Sequence, residues 1–429
     1  MADSTIFRNR DFLLLWSGNT ASNIGLHGAR IAYPLLTLIL TDSAVATSWV
    51  SFMIALPSLL FEVPAGVAAD YRDRRRILIR CQTLGLIATL VAAAVILLRP
   101  PGLSLFLAVS AFVEGTAYVF FQTSELGVVR DVVTAEQRPG AFAMIEVQQP
   151  IGNMMGRTLG AAMLGLARSL PFLANAASYG YCLWALSHMR ARVPSRPVVA
   201  GPAAGIWDWN STWAGARALW NEPFVRQSTL TIGCTNAIFQ ILILLLTIKV
   251  RAGGHSVWAI GVVLGATGVG GMLGAAVATK LVHRVSLRVM FTCSLWAWAI
   301  LCALITASSS VVVFAVCWLG VGFVAAIGNI ALTLHRVQAF PEDLVGRVYA
   351  ATKLIAHTGS AVGALLAGAL LTTLGFGVTG WMLVATMVVL ARRARRFPEP
   401  RTQVIQARPT ATPRPANWIT QLSRGNGIG

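Results

Sequence analysis

Charge is scarce in this sequence, and acid is scarcer still. Of 429 residues only 12% are charged, and 16 acids stand against 34 lysines and arginines. With 56% hydrophobic residues and a mean hydropathy of +0.68, the chain is excluded from the ordinary soluble domains. No G-x-x-x-x-G-K-[ST] loop occurs, so no ATP site of the Walker type is present in it. The six cysteines, at 81, 182, 234, 293, 302 and 317, form no C-x-x-C pair and read as small buried apolar residues rather than metal ligands. No cofactor is implied. A cleaved signal is missing too: Asp3 occupies the place of a basic region, and the first apolar run is long and lacks a small-residue cleavage site, so it should stay attached. His188, His255, His283 and His335 are scattered, which weighs against the one competing class, a polytopic membrane enzyme with catalytic groups gathered at one face.

What remains is apolar runs. A helix needs about 20 apolar residues to cross a bilayer, and roughly twelve such runs fit the sequence. They lie near 12–40, 45–69, 77–98, 103–128, 141–167, 170–189, 224–250, 257–282, 288–307, 310–334, 348–373 and 375–391. The fold class is therefore an all-α polytopic membrane protein with twelve transmembrane helices in two six-helix halves. Orientation follows from the basic residues. Only Arg99, Arg168, Lys249 and Arg251 fall in or at the edge of odd-numbered loops and only Arg30, Arg157 and Lys353 deep inside spans, the others occupying even-numbered loops, the span ends beside them and the termini. Basic segments stay on the cytoplasmic side, so both termini should be cytoplasmic. The formal charge of +18 is explained by this topology without nucleic acid.

Four regions are expected: an N-terminal half at 1–189, a cytoplasmic connector at 190–223, a C-terminal half at 224–391 and a basic, disordered tail at 392–429. Arg130, Glu136 and Gly140 after the fourth span recur as Arg336, Glu342 and Gly346 after the tenth, as repeated halves require. The connector carries Trp207, Trp209, Trp213 and Trp220, a pattern for a short helix lying at the membrane interface. The tail could touch anionic lipid, but its first arginines more simply anchor the last span.

Polar groups inside spans carry the chemistry, because each costs several kcal/mol unless paired or hydrated. Asn19, Asn23, His27 and Arg30 share one face of the first span, and Glu114, Tyr118, Gln122 and Glu125 one face of the fourth. Glu146, Gln149, Asn153 and Arg157 do the same in the fifth. Together with Glu62 in the second span, all the membrane acids lie in the N-terminal half.

Between the second and third spans, Gly66-x-x-x-Asp70 runs into Arg72, Asp73, Arg74, Arg75 and Arg76. This segment resembles the loop motif of the major facilitator superfamily, and with NRDFLLLW near the N-terminus and ARIAYPLL in the first span the chain resembles the macrolide and siderophore (enterobactin) exporter branch over about residues 8 to 390. The resemblance implies that spans one, four, seven and ten line a central cavity, adding Asn236, Gln240, Trp318, Asn329 and Thr333 as milder candidates. It also implies that Asp70 contacts Arg130, and that span two flanks span eleven. Gly66 should let a neighbouring helix approach closely. Three departures stand out: Tyr71 replaces an arginine, Leu26, followed by His27, stands where relatives carry an acid, and Arg157 replaces the proline of the span-five motif.

The function expected is a secondary transporter of the bacterial inner membrane that exports a small amphiphile, cationic above all, in exchange for protons. An importer or facilitator is the alternative. Arg30 should pair with Glu114, and Glu114 or Glu125 should carry the proton. Glu62 lies about 12 Å along its helix from Asp70, and Lys353 about 9 Å from Arg347. At similar depths, Glu62 and Lys353, with His357 a turn beyond, should form a switch between the halves.

Overall fold

A computed structural model describes residues 6–190, 209–282 and 284–399, and among these every long element is a helix. The first half holds α1 (Arg10–Thr41), α2 (Ala44–Tyr71), α3 (Arg74–Leu98), α4 (Leu103–Val132), α5 (Arg138–Ile151), α6 (Arg157–Leu166) and α7 (Leu170–His188). A short helix, α8 (Trp209–Asn221), precedes α9 (Pro223–Ala252), α10 (Val257–Leu281), α11 (Leu287–Ala307), α12 (Val311–Ala339), α13 (Glu342–Thr373) and α14 (Gly375–Ala394). Ten of these are long and apolar enough to cross a membrane. The fifth and sixth expected spans differ for physical reasons. Gly152–Gly156 form a π-helical segment that joins α5 to α6, and α7 is diluted by Asn175, Ser178, Tyr179 and Tyr181.

Caps set the helix ends. Asn9 accepts from the Phe12 amide at 3.1 Å and donates to the Val132 carbonyl at 3.0 Å, fixing the start of α1 to the end of α4. Ser43 caps α2 and Asp73 caps α3 through the Ala46 and Arg76 amides. Glu222 does the same for α9 at the Val225 amide, 2.5 Å away.

Packing repeats between the halves. α2 lies on α4 as α10 lies on α12, α3 on α7 as α11 on α14, and α1 on α6 as α9 on α13. Two seams join the halves, α2 against α13 and α6 against α10. At the second seam, Gly261, Gly265 and Gly268 receive Ala161, Thr158 and Met154, contacts that no larger residue would permit. Of the connector, α8 rests on α13, with Gly215 against the Arg347 backbone and Trp220 exposed. Trp207 and the tail from 400 onward lie outside the described residues.

Two expectations need correction here. Cys234 of α9 and Cys293 of α11 are exposed, whereas the other four cysteines are buried. A Cβ at Gly66 would meet nothing within 4 Å, so this glycine permits no close approach. The approach of α2 to α4 is made at Gly115 instead, against Pro57.

Candidate functional site

The helices surround a cavity of about 810 Å³, within the usual range for small-molecule sites. Its walls are drawn from both halves. Asn23, His27 and Arg30 come from α1, Glu62 and Gly66 from α2, and Tyr118, Gln122 and Glu125 from α4. Glu146 and Gln149 come from α5, Arg157 from α6, Gln240 from α9, and Tyr349, Lys353 and His357 from α13. The three-and-four spacing read from the sequence brings these side chains to one space.

Each polar group has a distinct environment. Glu125, only 3% exposed, accepts from Asn19 Nδ2 at 2.5 Å, and the same amide donates to Gln148 Oε1 at 2.9 Å. Gln148 in turn donates to the Trp16 carbonyl, and the Trp16 indole donates to the Met144 carbonyl. This chain ties α1 to α4 and α5 beside the cavity. Arg30 places its guanidinium over the Tyr118 ring, 4.3 Å from the centroid. The Tyr118 hydroxyl accepts from Gln149, and Asn153 donates to the Gln149 carbonyl.

Glu114 does not join this site. It is 1% exposed and accepts from Asn175 Nδ2 at 2.8 Å, while Asn175 also donates to Thr89. The expected Arg30–Glu114 ion pair is not formed. Glu114 turns toward α3 and α7, where Asn175 supplies a neutral donor, whereas Arg30 takes the aromatic face of Tyr118 one turn along α4. Tyr33 and Phe172, edge to face at 4.8 Å, are both fully buried nearby.

The π-helical segment accounts for Arg157. Gly152 and Gly156 sit against His27 and Ile24, and Gly160 against Gly28, so α1 and α5–α6 touch nearly backbone to backbone. A wide turn inserted there re-aims the following residue, and Arg157 lines the cavity where the resembling motif carries proline.

Across the first seam, Glu62 Oε1 lies 3.7 Å from Lys353 Nζ and its Oε2 lies 3.9 Å from His357 Nε2. At the other end of the same seam the Gly368 amide donates to Ser48 Oγ at 2.5 Å. Nearby, Arg251 of α9 meets Asp42 at 3.4 Å and donates to the Leu38 carbonyl at 2.8 Å.

Several predicted residues stand elsewhere. Trp318 is fully buried and stacked on Phe239 at 4.9 Å, Asn236 donates to the Ala356 carbonyl, and Asn329 and Thr333 are exposed; none borders the cavity. The Asp70 side chain, and so its contact with Arg130, lies outside the described residues. Arg130 lies over the Phe142 ring, and Arg74 donates to the Ala69 carbonyl and pairs with Asp131 at 3.4 Å. Glu136, in the loop beyond, is held below the usual carboxylate range by its own backbone amide and the Thr134 side chain. Sequence reasoning missed Asp131, Gln148 and Asn175. The step of three from Trp16 to Asn19 and the apolar setting of Asn175 were the only signals for the last two.

The sequence profile of the transmembrane secretion effector family matches residues 3–421. The multidrug efflux pump Tap of Mycolicibacterium fortuitum is 25% identical over 392 residues, 88% of this chain and 93% of that protein. Among solved structures, the nucleoside transporter NupG superposes with a TM-score of 0.71 at 15% identity, covering 90% of this chain and 98% of that one. A D-xylose–proton symporter gives 0.65 at 15% identity over 91% and 99%. At these identities the solved structures speak for the fold alone.

Proposed function

This chain belongs to the transmembrane secretion effector family of the major facilitator superfamily, and from that membership we propose that it is a proton-coupled exporter of a small amphiphilic compound. That it is a membrane transporter and not an enzyme follows from the family; export, coupling and substrate are the proposal. The observation that carries it is the cavity itself, a space walled by both halves and bordered by a buried carboxyl. Such a space can face either side of the membrane when the halves rock about it. The naming of a relative as a multidrug efflux pump supports the outward direction.

In this reading Glu125 carries the proton, since it borders the cavity while Glu114 is sealed behind Asn175. The Glu62–Lys353 bridge favours one of the two states by holding α2 to α13. The arginine-rich ends, including Arg72 to Arg76 and Arg392 to Arg396, face the cytoplasm of a bacterial cell, by the preference of basic segments for that side.

Everted membrane vesicles provide the test. With the lumen acidified by respiration and followed by a quenched acridine dye, amphiphilic antibiotics and siderophores are added in turn. At least one should restore fluorescence in vesicles bearing the protein and none in vesicles bearing Glu125→Gln. Accumulation of the same compound in intact cells, rather than its depletion, would instead assign import.

A further inference from the structure

We infer that the compound held in the cavity is an anion, an amphiphile bearing a carboxylate or a phosphate ester, seated between Arg30 and Arg157. This rests on the transporter reading above and names its substrate class. The cavity is bordered by three cationic side chains, Arg30, Arg157 and Lys353, and three acids, Glu62, Glu125 and Glu146. Their pairing is uneven. Lys353 is matched by Glu62, and Glu125 is engaged by the neutral amide of Asn19. Among the described residues, neither Arg30 nor Arg157 has a carboxylate within 4 Å, and the two border the same cavity from α1 and α6, which pack on each other. Two like charges are thus held on one wall, in a setting where an unmatched charge is costly.

The geometry of Arg30 shows what would match them. Tyr118 covers one face of its guanidinium, which leaves the edge, and the edge is where the N–H groups lie. Its Nε is buried without a hydrogen-bond partner. His27, only 6% exposed and bordering the same space, likewise has Nε2 without a partner. A guanidinium stacked on a ring at the border of a cavity, with an N–H left unmatched, fits a planar or tetrahedral oxyanion through paired hydrogen bonds. Arg157 approaches from α6 after the wide turn at Gly152–Gly156. The apolar part of the ligand has Ile31, Leu35, Leu244 and Leu264 to lie against. Of the acids, Glu114, which the sequence placed in the cavity to attract cations, is walled off, Glu62 is matched by Lys353 and Glu125 accepts from Asn19, so that Glu146 is left to face the two arginines across the same space.

A matched set of probes tests the inference: 2-naphthoate, the neutral 2-naphthamide and the cationic 2-naphthylmethylamine, which share a ring and differ in head-group charge. Equilibrium dialysis with the purified full-length protein should show naphthoate bound most tightly. Arg30→Gln and Arg157→Gln should each weaken naphthoate by about tenfold or more, the loss of one charge-assisted contact, and leave naphthamide unchanged. Arg30→Lys, which keeps the charge and loses the fork, should fall between, and it serves if the glutamine variant does not fold. Tighter binding of the amine, equal binding of all three, absence of binding, or arginine variants with unaltered naphthoate affinity would each overturn the inference. Flux in proteoliposomes separates this from the transporter reading. Selective naphthoate binding without movement would count against transport, whereas movement of the amine in preference to naphthoate would leave transport standing and remove the anion.

Discussion

In the half formed by α1 to α7, the most deeply buried contacts include amides and carboxyls: Asn19 to Glu125, Asn19 to Gln148, Asn175 to Glu114. In the half formed by α9 to α14, they are glycines against carbonyls and rings against rings. Gly270 faces the Leu319 carbonyl, Gly274 that of Phe323 and Gly322 that of Thr267, while Phe239 lies flat on Trp318. The helix order is the same and both halves use close glycine contacts, as at Gly28 and Gly160, but the first adds buried amide–carboxyl bonds. Between helices in a bilayer there is little hydrophobic drive, so close packing of small residues and hydrogen bonds are the two available means. Backbone packing holds helices as a rigid block. Hydrogen-bonded acids can in addition gain or lose a proton, which is why the proposed coupling is assigned to the first half.

The largest expected effect breaks that division at its centre. Glu125→Gln keeps the size of the side chain and a partner for Asn19 but cannot exchange a proton. Substrate-driven proton movement in proteoliposomes should be abolished with protein abundance unchanged. Coupling that persists would transfer the role to another group and make the difference between halves one of packing only.

Next in size is the opposite half. Gly322→Leu should cost about 3 kcal/mol, as overpacking of a close contact does, because the side chain would have to enter the Thr267 backbone. Thermal unfolding in detergent measures it. Gly328→Ala is the control: a Cβ there meets only Ser294, at 3.8 Å, and should leave stability unchanged or raise it slightly. Similar losses at both glycines would show that the block is held by something other than these contacts.

A third experiment sharpens the line within the first half. Asn175→Ala leaves the Glu114 carboxyl buried without its donor and should cost about 1–3 kcal/mol. Glu114→Gln should leave transport near normal. A transport loss from Glu114→Gln comparable to that from Glu125→Gln would place both carboxyls on the proton path.

The sequence made much of this legible where physics leaves a period or a length. Bilayer thickness demands long apolar runs, and the spans follow; helical periodicity put Asn23, His27 and Arg30 on one face and Tyr118, Gln122 and Glu125 on another, the family resemblance turned both faces inward, and they border one cavity. Periodicity gives a direction but not a neighbour. Glu114 shares the stripe of Glu125, yet at its depth α3 and α7 cover the stripe, so it meets Asn175 rather than Arg30. Trp318 illustrates the second blind spot, since a tryptophan on an inward face packs on a ring as readily as it lines a cavity. The π-helical turn before Arg157 left no sign beyond the glycines that accommodate it.

The smallest expected effect tests the ion pair that ties the unlike halves together beside the cavity. Glu62 lies 3.7 Å from Lys353 and 3.9 Å from His357, distances of an ion pair without tight hydrogen bonds. The side chains are 24% and 40% exposed, so water screens them and the pair is worth about 1 kcal/mol or less. That magnitude decides its role. It is too small to hold the fold, which the packing at Gly368 and across α6 and α10 secures, yet it is a factor of about 5 in an equilibrium between two states. Glu62→Gln and Lys353→Met should therefore leave unfolding temperature nearly unaltered. Each should raise, by up to about fivefold, the labelling rate of a cysteine placed at Gln240 by a membrane-impermeant maleimide added on the side of the arginine-rich loops. The charge swap of Glu62 and Lys353 should return that rate part of the way, because it restores attraction but not the geometry toward His357. Unchanged labelling in both single variants would reduce the bridge to a surface ion pair, and the coupling between the halves would then have to run through the glycine seam of α6 and α10. A fall in labelling would reverse the sign, making the bridge a contact of the open state.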